Sequence, residues 1–178
     1  MSTIKAICVD LDGMLFTDTS FQTFKAKLAP LVAKEQRDSI LALSLQMRDF
    51  KAGKLTEDGY RARAKSELNL TLSNEEIFSL LRESYEINPE VEELVRKLKV
   101  NGYTLCICSN NFPTRIRELD QKFGFLSWFD VPVFSYEVGV LKPDRAIFNI
   151  LIDTSGYRPE EIVYADDKAA NLVGAREL

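Results

Sequence analysis

The sequence predicts a three-layer α/β fold, in which helices cover both faces of a parallel sheet and a helical segment is inserted after the first strand. Short apolar runs alternate with helical patterns along most of the chain, which is typical of parallel sheets. Residues 20–85 interrupt that alternation with a block rich in good helix formers. The length of 178 residues suits one domain that carries a sizeable insertion.

The first strand and the inserted block predict how the chain divides into a core and a helical cap. Residues 4–9 form an apolar run that ends at a turn over residues 10–13, which predicts a buried strand. Within the block, Thr56 is a candidate N-cap, and Ser73 to Glu76 match a capping box. We therefore assign residues 1–18 and 86–178 to the core and residues 19–85 to a helical cap.

The rest of the chain alternates between helices and strands. Asn88 followed by Pro89 starts a helix that ends before Gly102, because proline suits the first helical turn and glycine follows the last. Further strands are predicted at residues 103–108, 131–135 and 162–165. Further helices are predicted at residues 113–123, at residues 143–152 and from residue 169 onward.

Composition excludes several classes of protein. The net charge is −4 and no basic stripe is present, so we expect no nucleic-acid partner. No apolar run approaches the ~20 residues that cross a bilayer, and the first ten residues do not resemble a signal peptide. We therefore expect a cytoplasmic protein with no membrane partner. The chain has no histidine, which excludes a Ser-His-Asp or Cys-His mechanism and a histidine-ligated metal.

The three cysteines, Cys8, Cys106 and Cys108, lie in apolar runs. An odd number of cysteines in such runs indicates reduced residues that fill the core of a cytosolic protein. A zinc site is not expected, because Cys106 and Cys108 have no second ligand pair.

Polar residues follow the predicted strands at the points where the strands end. Right-handed crossovers bring the carboxyl ends of parallel strands to one side of the sheet, where ligands bind. Distant parts of the chain can therefore meet at that side. The polar residues are Asp10 and Asp12 after the first strand, Ser109 and Asn110 after the second, Lys142 in a later loop, and Asp166 and Asp167 after the fourth.

Each of these clusters alone has a structural explanation. Asp10 to Gly13 suits a tight turn, Ser109 and Asn110 suit a helix cap, and Lys142 suits a solvated loop. A calcium loop starting at Asp10 is excluded, because its sixth and twelfth positions are Leu15 and Phe21 rather than glycine and glutamate. The four clusters in this order favour a shared functional site.

The combined set contains carboxylates, an ammonium, a hydroxyl and an amide. Carboxylates this close repel one another unless a cation lies among them, and oxygen ligands of this kind suit Mg²⁺. A lysine and a serine beside backbone N–H groups suit a phosphoryl group. The residues therefore indicate a site for Mg²⁺-assisted phosphoryl transfer.

With these motifs the chain resembles the haloacid dehalogenase-like (HAD) hydrolase superfamily, whose core is a Rossmann-like parallel sheet. The resemblance spans residues 4–178, and in the inserted block it is limited to position and helical character. The four matching segments are residues 9–14, residues 106–110, residues 139–144 and residues 162–171. The position of the block implies a small α-helical cap, as in sugar-phosphate phosphatases and the N-terminal domain of epoxide hydrolase.

The resemblance implies a role for each reacting residue. Asp10 would be the nucleophile that forms an aspartyl-phosphate, and Asp12 would be the general acid and then the base. Ser109 would donate its hydroxyl to the phosphoryl oxygens, and Lys142 would neutralise Asp10 and the phosphoryl group. The activity implied is Mg²⁺-dependent hydrolysis of a small phosphorylated metabolite.

The resemblance also implies a metal site and supporting residues. Asp167 would be the side-chain ligand of Mg²⁺, with Asp166 acting nearby or through water. The carboxylate of Asp10 and the backbone carbonyl of Asp12 would complete the protein ligands. Supporting residues would be Gly13 in the first turn, Asn110 for substrate contact and Asn171 for holding the metal loop.

Other readings of the motifs remain open. Dehalogenases of the superfamily lack an acid at the position of Asp12, so its presence favours phosphate-ester hydrolysis. A non-catalytic relative would be expected to lose Asp10 or Asp12, and a response-regulator receiver would carry its acid pair after the first strand. A phosphomutase would need cap residues that protect the intermediate; the candidates are Lys54, Arg61, Arg63 and Lys65.

Two positions depart from the family pattern. Met14 replaces the usual threonine or valine behind the nucleophile, where we expect a mild effect. Family members normally continue past Leu178 with a further apolar strand, so we expect the fourth strand here to form a sheet edge. Substrate specificity is expected to lie in residues 16–24 and 49–63, and either a monomer or a homodimer is compatible with the sequence.

Overall fold

A computed structural model describes residues 3–17, 19–31, 47–68 and 71–178 of the chain. Its centre is a four-stranded sheet in the order β3-β2-β1-β4. The strands are β1 (Ala6–Val9), β2 (Thr104–Ser109), β3 (Val131–Phe134) and β4 (Ile162–Ala165).

All strand pairs are parallel, and β1 lies between β2 and β4. Cys8 in β1 is opposite Cys106 in β2 on one side and Tyr164 in β4 on the other. The carboxyl ends of the four strands therefore lie at the same edge. Within the described residues, β4 has a neighbour on one side only, as expected for a sheet edge.

The helices account for most of the remaining described residues. They are α1 (Ser20–Leu28), α2 (Glu57–Leu68), α3 (Asn74–Ser84), α4 (Pro89–Val100), α5 (Pro113–Phe123), α6 (Ser135–Val138), α7 (Arg145–Ser155) and α8 (Val173–Arg176). A further helical turn covers residues 47–51. None of the helices in the described ranges combines the length and apolar character needed to cross a bilayer.

Apolar side chains fill both faces of the sheet, which confirms the predicted three layers. On one face, Leu105 and Ile107 of β2 pack in a cluster with Val95 of α4 and Leu119 of α5. On the other face, the three cysteines pack in a cluster with residues of α7, including Ile147. The cysteines are free and buried, as the apolar runs around them predicted.

Several element boundaries follow from local hydrogen bonds. The predicted capping box is present at α3, where Ser73 Oγ accepts from the Glu76 N–H and the Ser73 N–H donates to Glu76 Oε2. Helix α7 starts later than predicted, because the side chain of Asp144 caps it by accepting from the Ala146 N–H at 2.9 Å. Strand β3 ends one residue early, since Ser135 begins α6.

The predicted C-terminal helix has a different form. The chain makes a 3₁₀ turn at Ala169–Leu172 and then the short α8. Gly174 in α8 lies against the loop before α7, where a Cβ would overlap the carbonyl oxygen of Pro143. This close approach ties the last described residues to the loop that carries Lys142.

Candidate active site

Asp10 is fixed immediately beyond the end of β1. Its backbone N–H donates to the carbonyl of Ala165 at 3.0 Å, which extends the pairing of β1 with β4 by one residue. Its Oδ1 accepts from the N–H of Leu11 at 2.8 Å, and the residue is only 5% exposed. The carboxylate is therefore held in one place, as a nucleophile requires.

Lys142 connects Asp10 to Asp166. Its buried ammonium lies 3.1 Å from Asp10 Oδ2 and 2.6 Å from Asp166 Oδ2. It also donates to the carbonyl of Cys108 and to the hydroxyl of Tyr164, at 2.9 Å each. One cation thus pairs with two buried carboxylates and offsets part of their combined charge.

The pKa values of the two carboxyl groups shift in opposite directions. Burial raises the pKa of Asp10, and the ammonium of Lys142 offsets part of that rise. Burial acts in the same sense on Asp166, but hydrogen bonds from Lys142 and Tyr164 outweigh it and hold its pKa below the usual range. These hydrogen bonds therefore favour the charged form of Asp166 beside the lysine.

Ser109 and Asn110 lie where β2 ends. The buried hydroxyl of Ser109 hydrogen-bonds Asp10. The amide of Asn110 spans the backbone of Lys142, donating to its carbonyl at 3.0 Å and accepting from its N–H at 2.8 Å. Asn110 therefore positions the loop that carries Lys142. The sequence predicted a role for Asn110 in substrate contact and did not predict this one.

Three carboxylates converge beside this network. Oxygens of Asp10, Asp166 and Asp167 lie within 4.8 Å of one another. Asn171 donates to both oxygens of Asp166, at 2.9 and 3.1 Å, and so restrains the loop after β4. Hard oxygen donors at this spacing fit a Mg²⁺ ion. The prediction for Asp12 concerned its backbone carbonyl, and its side chain is not part of this group of carboxylates.

Gly13 allows the first turn to lie close to Asp167. Its φ of 77° is in the left-handed region, which favours glycine. A Cβ at this position would lie 2.5 Å from the carboxyl group of Asp167. The predicted supporting role of Gly13 therefore has a concrete basis in the space that a side chain would occupy.

Asp12 faces a buried arginine that sequence reasoning missed. Arg115 Nη2 lies 2.7 Å from Asp12 Oδ2, a close ion pair whose geometry is not that of an aligned hydrogen bond. The same guanidinium donates from Nη1 to the hydroxyl of Tyr85 at 2.8 Å and from Nε to Asn111 Oδ1 at 2.6 Å. Together these groups fix the position of the Asp12 carboxylate.

The sequence does contain a signal for Arg115. It lies four residues before Leu119 on α5, beside Ile116, and both of these apolar residues are buried. A charged residue on the apolar side of an amphipathic helix needs a partner of opposite charge. That position would have indicated a buried ion pair, although the identity of the partner follows only from the fold.

Two cavities adjoin the cap. A polar cavity of about 600 Å³ lies between Lys142 and residues 47–54, and Asn110 is also in its wall. An apolar cavity of about 200 Å³ lies among α1, α2 and α3, with Phe21, Phe50 and Phe112 in its wall.

Three of the four cap cations proposed for a phosphomutase pair with carboxylates of the cap. Lys54 lies 3.9 Å from Asp49, Arg63 lies 3.4 Å from Glu67, and Arg61 pairs with both Glu57 and Asp58. Lys65 lies in the wall of the apolar cavity rather than the polar one.

The sequence matches a known protein family. Residues 4–178 match the family model of haloacid dehalogenase-like hydrolases, which covers nearly the whole chain. The chain belongs to this family. The resemblance drawn from the four motifs is therefore confirmed. Membership of this family makes the protein a HAD-like hydrolase.

The relatives include different activities. Mouse bifunctional epoxide hydrolase 2 is 32% identical over 137 residues, or 70% of this chain and 24% of the mouse protein. The chain thus spans about a quarter of that relative. The (S)-2-haloacid dehalogenase of Pseudomonas sp. strain YL is 27% identical over 99% of this chain and 80% of its own length.

A solved structure of similar fold comes from Bacteroides thetaiotaomicron. It is a HAD family enzyme in complex with magnesium and inorganic phosphate, with a TM-score of 0.78 and 21% identity. The match covers 98% of this chain and 90% of that one. At this level of identity the likeness confirms the predicted fold.

Proposed function

We propose that this HAD hydrolase is a Mg²⁺-dependent phosphatase that acts on a small phosphorylated metabolite through an aspartyl-phosphate at Asp10. The observation that carries the proposal is a second carboxyl group, Asp12, in the same turn as the buried Asp10. A phosphate ester releases an alkoxide that needs a proton, whereas a halide leaves without one. Only the phosphatase reaction therefore uses both groups.

The first half-reaction moves the phosphoryl group onto Asp10. A carboxylate oxygen of Asp10 attacks phosphorus while the bond from phosphorus to the ester oxygen breaks. Asp12 gives its proton to that oxygen, which leaves as the alcohol. Ser109 and Lys142 contact Asp10 and can hold the phosphoryl oxygens with a hydroxyl and a positive charge.

The second half-reaction returns Asp10 to its starting form. A water molecule attacks phosphorus, and the bond between phosphorus and Asp10 breaks. Asp12, now a carboxylate, takes the proton from the water, so inorganic phosphate leaves and both carboxyl groups are restored. The same residue thus acts as acid and then as base.

The three converging carboxylates account for the proposed metal requirement. Asp10, Asp166 and Asp167 would hold the ion. Because Asp166 is already tied to Lys142, we assign the direct side-chain contact to Asp167 and a nearby or water-mediated one to Asp166. When bound, Mg²⁺ supplies positive charge that offsets the charge of the carboxylates and of the phosphoryl group.

Two relatives point to the test that separates phosphatase from dehalogenase. The Bacteroides enzyme binds magnesium and phosphate, whereas the Pseudomonas enzyme is a dehalogenase. Purified protein should release p-nitrophenol from its phosphate ester only with Mg²⁺, and should release no chloride from 2-chloropropionate. Chloride release without phosphatase turnover would contradict the proposal.

Asp10→Asn is the matched variant for this assay. It removes the nucleophile while keeping the size of the side chain, so turnover should fall to the background rate with the thermal unfolding midpoint little changed. If a folded Asp10→Asn protein keeps most of the wild-type turnover, Asp10 is not the nucleophile. Phosphomutase activity would appear instead as phosphoryl transfer to a second hydroxyl without phosphate release.

A further inference from the structure

The cap contributes one wall of the polar cavity, and this wall is fastened to the core. The hydroxyl of Ser135 donates to the carbonyl of Lys51 at 2.7 Å and accepts from the N–H of Asn111 at 3.1 Å. Gly53 lies so close to α6 that a Cβ would overlap the carbonyl oxygen of Tyr136. Buried Phe50 packs on Phe112 with ring centroids 5.1 Å apart. Lys51 is therefore held at a fixed place above the site.

Several charged groups in the wall of the polar cavity already have hydrogen-bond or ion-pair partners. Lys142 is paired with Asp10 and Asp166. Lys54 is paired with Asp49. The carboxylate of Asp144 accepts from the Ala146 N–H at the start of α7.

Two other cations of the cavity wall form no ion pair with a described residue. Among the described parts of the chain, neither Arg48 nor Lys51 has a side-chain hydrogen bond or an ion pair. Lys51 is half-buried, whereas Arg48 is exposed. Burial and the nearby Arg115 lower the pKa of Lys51 to about 8, although Asp12 and Asp10 act in the opposite direction. Placing an ammonium here without an anion costs free energy that a bound anion would recover.

We propose that Lys51, assisted by Arg48, binds a second anionic group of the substrate, so that preferred substrates are phosphomonoesters carrying a carboxylate or a further phosphate. This inference rests on the proposed phosphatase function, because it assumes that the first phosphate lies between Asp10 and Lys142. Arg48 and Lys51 are three residues apart on one helical turn, so their side chains can reach the same ligand.

The chemistry of the wall favours an anion over a neutral polar group. An ammonium and a guanidinium both donate hydrogen bonds and offer no acceptor, so hydroxyl or amide ligands satisfy them less well than anionic oxygens. Lys142 also contributes to the wall of this cavity, and its buried ammonium is already paired with Asp10 and Asp166. Carboxylate and phosphate share the required chemistry, and the experiment separates them.

The test compares substrates that differ only in the second group. Glycerol 3-phosphate and 3-phosphoglycerate have the same skeleton, with a hydroxymethyl group in one and a carboxylate in the other. Propanediol monophosphate and bisphosphate form the equivalent pair for a second phosphate. For the wild type we expect kcat/KM to favour the anionic member of at least one pair by roughly tenfold or more.

Variants of Lys51 then assign the preference. Lys51→Met should abolish the preference for the anionic member of each pair, and Lys51→Arg should restore it. Lys27→Met is the control, because Lys27 is a cap residue on α1 that does not line the polar cavity. Its ammonium lies 3.5 Å from the carboxylate of Glu83. The control should keep the wild-type preference.

The outcomes separate this inference from the proposed function. Equal turnover of both members of both pairs, or a preference that survives Lys51→Met, would overturn the second-anion site and leave the phosphatase assignment intact. If no phosphomonoester is hydrolysed, titration calorimetry of 3-phosphoglycerate into Asp10→Asn, with and without Lys51→Met, gives the same comparison. Binding that does not depend on Lys51 would overturn the inference in that case too.

Discussion

At the residue scale, the metal site depends on how closely the turn after β1 approaches the loop after β4. Gly13 allows this close approach, because the absence of a side chain leaves room for the carboxyl group of Asp167. Asp167 is the residue we assign to direct metal contact. A change at Gly13 should therefore affect the metal before it affects the rest of the fold.

Gly13→Ala should weaken Mg²⁺ binding by roughly tenfold or more, because displacing a metal ligand through its neighbour has effects of this size. It should also destabilise the fold by about 1–2 kcal/mol, the cost of a non-glycine residue in the left-handed region. Titration calorimetry with Mg²⁺ and chemical denaturation measure the two effects separately.

Gly156→Ala is the control for backbone strain. Gly156 has a φ of 72°, but a Cβ there would meet nothing within 4 Å. It should show the same loss of stability with unchanged Mg²⁺ affinity. Equal Mg²⁺ affinities in the two variants would contradict the role given to Gly13.

The residues of the site differ in how far the sequence predicts them. Asp10, Lys142 and Asp166 end apolar runs or lie in a nearby loop, so sheet topology alone brings them together. Arg115 and Lys51 lie within helical segments that approach the site only when the chain folds. No pattern along the sequence indicates which helix faces the carboxylates, so these two could not be assigned.

At the element scale, hydrogen bonds at helix ends set where the helices begin. Helix α3 starts with a complete capping box, in which Ser73 and Glu76 each accept from the other's backbone N–H. Such a motif is local in sequence, which is why it could be predicted. The start of α7 could not, because two candidate positions, Pro143 and Asp144, precede the apolar residues of the helix.

Ser73→Ala should destabilise the protein by about 1 kcal/mol, because it leaves the Glu76 N–H without its side-chain acceptor. For a chain of this size that corresponds to a fall of about 2–4 °C in the unfolding midpoint, measured by calorimetry. Ser79→Ala on the same helix removes only an exposed hydroxyl that donates to Glu83, and should change stability by less than about 0.5 kcal/mol. An unfolding midpoint that falls equally in both variants would contradict the stabilising role of the capping box.

At the scale of the whole molecule, the cap and the core form one site. Residues 47–54 form part of the wall of the polar cavity that Lys142 also lines. Three contacts hold them to the loop after β2 and to α6. The alternation of strands and helices predicted that a cap exists and where it is inserted. It did not predict which segment of the cap reaches the core, because that depends on packing between parts distant in sequence.

Gly53→Ala should raise KM for a small phosphomonoester by roughly tenfold or more, because small displacements of a binding wall have large effects. A Cβ at Gly53 would push the cap segment away from the carbonyl of Tyr136. Gly124→Ala is the control, since Gly124 has a φ of 63° with nothing within 4 Å of a Cβ. Steady-state kinetics that give the same KM for both variants would argue against a docked cap.

In the proposed reaction, Asp10 carries the phosphoryl group and Asp12 transfers the proton. The most direct test is acid quenching of Asp12→Asn after mixing with p-nitrophenyl phosphate and Mg²⁺, followed by mass spectrometry of its peptides. This ester has a good leaving group that needs no proton, so the first half-reaction should proceed while the second stalls. We expect a burst of p-nitrophenol and one phosphoryl group on Asp10. The absence of covalent phosphate, or phosphate on another residue, would contradict the proposed mechanism.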